Sequence, residues 1–133
     1  MSQHVVVVGA VALGPKAACR FKRLEPDSKV TMVDQSDLIS YGGCGIPYFV
    51  SGDVSDASQL QSTSFHMVRD AKFFQSVKDI DVLTNTGVLS IDRNSKTVKV
   101  RNVLDQREED LPYDQLVLAT GSHKRFFKKH ACR

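Results

Sequence analysis

The sequence predicts an α/β fold, a parallel βαβ sheet with a small antiparallel β insertion, and three observations carry that reading. The run Val5-Val6-Val7-Val8 is β-branched and closes on Gly9, as a buried strand does. From Gly14 onward Ala17, Ala18, Phe21 and Leu24 recur at helical spacing until Pro26 stops the helix. Lys29-Val30-Thr31-Met32-Val33-Asp34 then reads as a second strand. Strand, helix and strand within some thirty residues form a βαβ unit, whose crossover should be right-handed.

The later elements follow the same logic. Residues 51–64 are polar and loop-like, and residues 66–77 predict a helix with Met67, Ala71, Phe73 and Phe74 facing inward. Val82-Leu83, Val88-Leu89-Ser90-Ile91 and Thr97-Val98-Lys99-Val100 read as short strands, the last two joined by a hairpin turn at Arg93-Asn94-Ser95-Lys96. Asp110-Leu111-Pro112-Tyr113 leads into a final strong strand, Leu116-Val117-Leu118-Ala119, closed by Thr120-Gly121. The insertion therefore precedes the last strand of the sheet.

Composition bounds the function. A chain of 133 residues is about one domain. It is 41% hydrophobic and 25% charged, and no apolar run approaches the roughly 20 residues that cross a bilayer. No basic segment precedes the first strand, so no signal peptide is expected. Cysteines at 19, 44 and 132 make neither a disulfide framework nor a zinc pattern. A cytoplasmic, reducing compartment is the expectation. The net charge of +3 owes its sign to the last eleven residues, HKRFFKKHACR, which hold five of the 18 basic residues and no acid. Without them 13 basic residues face 15 acidic ones. A nucleic-acid surface spreads basic charge over a folded face, so neither nucleic acid nor a membrane is the expected partner.

Gly9-Ala10-Val11-Ala12-Leu13-Gly14 joins the first strand to the first helix. The dinucleotide fingerprint G-x-G-x-x-G uses its glycines for a tight turn, close approach of a pyrophosphate and helix packing. Here the first and third glycines stand and Val11 replaces the second. The context strengthens the match: a strand precedes, a helix follows, and Asp34 ends the next strand about twenty residues on. That carboxylate can accept hydrogen bonds from ribose hydroxyls, and the helix N-terminus offers N–H groups to a diphosphate. The competing reading is a plain βαβ turn with Asp34 as a solvated strand end.

The stretch SYGGCGIPYF places Cys44 among glycines 42, 43 and 45. Cys44 follows the second strand by ten residues, which returns its thiol to the edge where ligands of such sheets sit. Gly45-Ile46-Pro47-Tyr48-Phe49-Val50 can start a helix, and a thiol near a helix N-terminus is favoured as thiolate. The flanking glycines leave room for a flat ligand to approach. Set against that, an isolated cysteine is often a small buried hydrophobe. Histidines 4, 66, 123 and 130 form no metal-ligand spacing with it, so no metal is expected. Cys19 lies within the first helix and reads as packing.

VVVVGAVALG, the Asp34 strand end, SYGGCGIPY and LVLATGS occur in an order that resembles the flavin-dependent pyridine nucleotide-disulfide oxidoreductases. The likeness is greatest to the coenzyme A-disulfide reductase branch, which includes NADH-dependent persulfide reductases, and it spans residues 3–122. S-Y-x-x-C-G-x-P-Y is the most specific of these motifs. The resemblance implies a Rossmann-like FAD-binding sheet, with FAD against Gly9, Ala10, Val11, Ala12, Gly14, Asp34, Val88, Ala119, Thr120 and Gly121. It also implies NAD(P)H as reductant and Cys44 as the single redox cysteine. Electrons would pass from NAD(P)H through the flavin to an oxidised sulfur at Cys44, whose thiolate then attacks the next disulfide or persulfide.

Two positions narrow the branch. Relatives with a paired redox dithiol carry a second cysteine where Phe49 stands here, and peroxidase or oxidase relatives carry a histidine near Ala12. The first absence leaves Cys44 to work alone, and the second favours a thiol-type substrate. By resemblance, coenzyme A would meet Lys16, Arg20, Arg23, Ser40, Gly43 and Lys72, the basic ones suiting phosphates. A solvated helix face is the competing reading of those cations. Gly43 departs from the family, where asparagine usually stands, so a side-chain amide contact is missing.

The resemblance further implies a nicotinamide domain and a dimerisation domain, with a homodimer in full-length members. Residues 1–122 are expected to be the N-terminal part of an FAD/NAD(P)-binding domain, truncated before those domains, and 123–133 a basic tail foreign to the family. On this reading the isolated chain has no NAD(P)H-dependent turnover. The alternatives are an inactive nucleotide-binding fragment or remnant, and a flavin-free thiol sensor built on Cys44.

Overall fold

A computed structural model describes residues 2–122. The basic tail expected at 123–133 lies outside the described residues. β1 (His4–Val8), β2 (Lys29–Val33), β3 (Asp81–Leu83) and β7 (Gln115–Leu118) form a parallel sheet in the order β3-β2-β1-β7. β4 (Thr86–Asp92), β5 (Thr97–Asn102) and β6 (Glu108–Pro112) form a separate antiparallel sheet. β1 runs in register with both neighbours, Val5 opposite Val30 on one side and Gln115 on the other.

The four consecutive valines are explained by a sheet covered on both faces. Successive side chains point to opposite faces. Val5 and Val7 join Val30, Met32, Ile39, Phe74 and Ile80 in a core beneath α1 (Leu13–Leu24) and α4 (Ala71–Lys78). Val6 and Val8 join Val33, Val98 and Val100 in a second core against the antiparallel sheet. The result is three layers, helices on parallel sheet on antiparallel sheet. Each fully buried aliphatic side chain contributes about 1.5–3 kcal/mol.

The C-terminal ends of β1, β2 and β7 converge. The Gly9 N–H donates to the Val33 carbonyl at 2.8 Å, and the Ala119 N–H donates to the Val8 carbonyl at 2.8 Å. The turn between β4 and β5 falls where expected, at 93–96, and the Asp92 carboxylate accepts from the Asn94 and Ser95 N–H groups there. These bonds hold the Asp92 carboxyl below the usual carboxylate range.

Two expectations are corrected. The helix expected over 66–77 starts only at Ala71, because Asp70 caps it by accepting the Phe73 N–H at 2.8 Å. Before it the chain is extended enough for Val68 to bridge Ser62, and Met67 is exposed rather than inward. The segment expected as loop, 51–64, contains α3 (Ser58–Gln61), whose last residue is buried. Buried Gln61 is satisfied by donating from Nε2 to the Ile39 carbonyl at 2.7 Å.

Candidate functional site

The glycine turn and Asp34 meet at the converging strand ends. Gly9 takes a φ of +102°, a conformation L side chains rarely adopt, and a Cβ there would collide with the Ala119 carbonyl. A Cβ at Gly14 would collide with the Gly9 carbonyl. The two glycines therefore let α1 cross close over the end of β1. Val11 stands where the fingerprint has its second glycine and is half-buried at the mouth of the turn. No side chain caps the start of α1, so its first N–H groups face outward without intrahelical acceptors.

Asp34 is built into this turn. One carboxylate oxygen accepts the Ala10 N–H at 2.7 Å and the other accepts the Ser36 N–H at 2.9 Å. Its backbone also bonds twice, to the Leu83 carbonyl and from the Thr86 N–H. The carboxylate thus joins the glycine loop to the end of β2, and its remaining lone pairs border a cavity.

That cavity, of about 490 Å³, is lined by Gly9, Val11, Asp34, Val88, Thr120 and Gly121, all singled out in the sequence. Ala10, Ala12, Gly14 and Ala119 do not line it; Ala10 is buried behind the turn and Gly14 is packed beneath it. Sequence reasoning missed Ser36, Leu38, Tyr41, Thr86 and Gly87, which also line it. Ser36 carried a signal, since it stands two residues after an aspartate that accepts its N–H. Tyr41 and Thr86 reach the cavity only through the tertiary path of their loops.

Cys44 is exposed and lies in a single 3-10 turn, Gly43–Gly45, directly before α2 (Ile46–Ser51). The loop that carries it is tied down at several points. The Ser40 N–H donates to the Ala10 carbonyl at 2.7 Å, and the Gly42 N–H to the Leu60 carbonyl at 2.8 Å. Ser40 is buried and has a φ of +52°. The thiol segment is thereby fastened to the glycine loop itself. Cys19, by contrast, is half-buried in α1, and burial pushes its thiol pKa up against the opposing pull of Lys78 and Arg23.

A second hollow, of about 740 Å³, opens on the other side of Tyr41 and Val11, which line both. Lys16, Arg23 and Ser40 line it, but Arg20, Gly43 and Lys72 do not. Arg20 and Lys72 are exposed on α1 and α4, and Gly43 faces open space. Arg69 and Lys78, not singled out in the sequence, also line this groove, with Phe73 and Phe74 as apolar floor. Four cations and no carboxylate thus border it. Such a lining suits an anionic ligand with an apolar or aromatic part. Among the described residues, no group of three or more His, Cys, Asp or Glu could hold a metal ion, and no helix is long and apolar enough to cross a membrane.

A coenzyme A disulfide reductase from Staphylococcus haemolyticus is 31% identical over 120 residues, covering 90% of this chain and 26% of that protein. An NAD(P)H coenzyme A polysulfide/persulfide reductase from Pyrococcus horikoshii is 32% identical, covering 92% of this chain and 25% of that protein. Among solved structures, an NAD-dependent persulfide reductase from A. fulgidus superposes with a TM-score of 0.85 at 44% identity, covering 89% of this chain and 21% of that one. The chain spans about a quarter of the length of the curated relatives it matches. The fold is the Rossmann-like one of FAD-binding oxidoreductases. The family profile described as pyridine nucleotide-disulphide oxidoreductase matches residues 3–131, and the chain belongs to that family.

Proposed function

We propose that this chain forms the FAD-binding, redox-cysteine part of an NAD(P)H-dependent reductase of low-molecular-weight disulfides or persulfides, with coenzyme A as the thiol carrier. The observation that carries this reading is that exposed Cys44 stands on a loop bonded to the glycine turn, and that Tyr41 of the same loop borders both a nucleotide-sized cavity and a cationic groove. The relatives named for coenzyme A disulfide or persulfide reduction support the substrate class. An NAD(P)H-using site would belong to the larger part of those relatives that this chain does not span.

The residues present fit FAD. The uncapped start of α1, the absent Cβ atoms at Gly9 and Gly14, and the cavity walls at Asp34, Thr120 and Gly121 suit a diphosphate and a ribose. When bound, FAD supplies the two-electron link between a nicotinamide and sulfur. Asp34 keeps the glycine turn in shape while offering its free lone pairs to ribose hydroxyls. Val88 and Tyr41 present apolar surface to the cofactor.

Cys44 performs the sulfur chemistry. Its thiolate attacks a disulfide R–S–S–R, forming Cys44–S–S–R and releasing R–S⁻. Return of Cys44–S–S–R to the thiolate, with release of the second R–S⁻, takes two electrons, which FAD held by the glycine turn and Asp34 would supply from NAD(P)H. Lys16 and Arg23 hold the phosphates of the thiol carrier in the groove.

The test is direct. Purified chain mixed with FAD and desalted should keep a visible flavin absorption band. Coenzyme A disulfide should form a mixed disulfide on Cys44 at least about tenfold faster than on Cys19, whose thiol is raised and shielded. Site-resolved mass spectrometry reads the second result. Loss of all flavin on desalting, together with equal labelling of the two cysteines, would refute the proposal.

A further inference from the structure

The cationic groove contains one residue whose bonds point beyond ligand binding. Arg69 is half-buried, and its Nε donates to the Gln61 carbonyl at 3.2 Å while its Nη2 donates to the Ser40 carbonyl at 3.3 Å. Its own backbone N–H also donates to the Gln61 carbonyl at 3.2 Å. Ser40 is therefore held from two sides, by Ala10 through its N–H and by Arg69 through its carbonyl. Leu60, beside Gln61, accepts the Gly42 N–H, and its side chain packs under Gly45. Arg69, Gln61 and Leu60 together form a bracket beneath residues 40–45, the loop that ends in the 3-10 turn of Cys44.

A guanidinium carries five N–H donors in a fixed plane. Two are spent on the Gln61 and Ser40 carbonyls, and the side chain borders the groove with Lys16, Arg23 and Lys78. One rigid group thus touches both the cysteine loop and the space for an anion. An anion that pairs with the outer edge of that plane fixes its orientation and so strengthens its inner bonds.

Resting on the coenzyme A part of the proposed function, we propose that Arg69 is a positioning residue for Cys44. It braces the Ser40–Gly45 loop, and it couples uptake of a phosphorylated thiol carrier in the groove to tightening of that loop. No contact between Arg69 and the reacting sulfur is required.

The experiment is amide hydrogen exchange by NMR on the full chain, wild type and the variants Arg69→Met and Arg69→Lys. It is run with and without adenosine 3′,5′-bisphosphate, a thiol-free probe carrying nucleotide phosphates. Arg69→Met should accelerate exchange at Ser40 and Gly42 by about tenfold, the effect of one lost hydrogen bond. Val6 and Val7 in β1 should be unchanged. The probe should slow Ser40 and Gly42 by about fivefold in the wild type, partly so in Arg69→Lys and not at all in Arg69→Met.

Uniform acceleration across β1 and the loop would reduce Arg69 to a general structural role and overturn the proposal. So would probe binding that slows the loop equally in Arg69→Met. A wild type that fails to bind the probe would overturn both this proposal and the coenzyme A reading, while FAD binding stands on its own absorption measurement.

Discussion

At Gly9 and Gly14 the missing Cβ is replaced by backbone of the same chain: the Ala119 carbonyl occupies one position and the Gly9 carbonyl the other. At Gly43, in the second glycine-rich stretch, no atom stands within 4 Å of where a Cβ would be. Two segments of similar composition thus serve opposite needs. The first glycines are fully used by the domain itself, closing α1 onto β1 and β1 onto β7. In the second, Gly45 closes on the Leu60 side chain, but Gly43 leaves surface open beside Cys44, and in α2, which follows, Tyr48 is 60% and Val50 79% exposed. The glycine turn is packed shut by its own neighbours in the fold, whereas the segment after Cys44 leaves apolar side chains exposed. Closeness of packing separates glycines kept for folding from glycines kept for access.

The sharpest way to break that comparison is one substitution made twice. Gly14→Ala should destabilise the chain by roughly 3 kcal/mol or more, because the new methyl meets backbone that cannot yield. Gly43→Ala should stay within about 0.5 kcal/mol of the parent, as expected for open space at ordinary φ. Urea denaturation followed by circular dichroism measures both, and equal effects would erase the distinction.

A smaller effect sharpens the role of Asp34. Asp34→Ala strips the Ala10 and Ser36 N–H groups of their acceptor. It should cost about 1–3 kcal/mol even in the absence of nucleotide. A loss confined to flavin affinity, with the denaturation midpoint unmoved, would make Asp34 a ligand residue alone.

The smallest expected effect is a pH dependence at the opposite end of β1. Burial first, and the nearby Lys29 second, lower the His4 pKa, and its Nε2 lies 2.9 Å from the Thr31 hydroxyl. Below the ordinary histidine value of about 6.5 the unfolded chain binds the proton more readily than the folded one. The contribution of His4 is therefore complete above that pH and is lost as pH falls through it toward the lowered folded value. His4→Gln should flatten the urea midpoint between about pH 5 and 7, and an unchanged slope would assign the dependence elsewhere.

Much of the cradle was legible in the residues. Four β-branched residues before a glycine read as a strand buried on both faces, and an acid at the end of the next strand marks the neighbouring turn. α4 lies in the expected region but starts later, because the Asp70 cap outweighs the helical spacing of the apolar residues before it. Its carboxylate, three residues before the Phe73 N–H it accepts, was the available signal. Nothing in the local sequence pairs Ser62 with Val68, so the extended stretch before α4 could not be read. The coenzyme A contacts divided in the same way. Lys16 and Arg23, seven apart on α1, share a groove as helical spacing allows, but Lys72 turned outward on α4.

The sequence by itself determined the α/β sheet with its antiparallel insertion, the glycine turn with its aspartate, and the place of Cys44 among glycines before a helix start. Each depends on neighbours in the chain or on a period of two or 3.6 residues, and so is written locally. Only the tertiary structure decided that the Cys44 loop hangs from the Ala10 carbonyl, that Arg69 reaches the Ser40 carbonyl from twenty-nine residues away, and that Tyr41 and Val11 stand between the cavity and the groove. Those facts depend on where distant backbone carbonyls arrive after the sheet has closed, and no local pattern encodes that arrival.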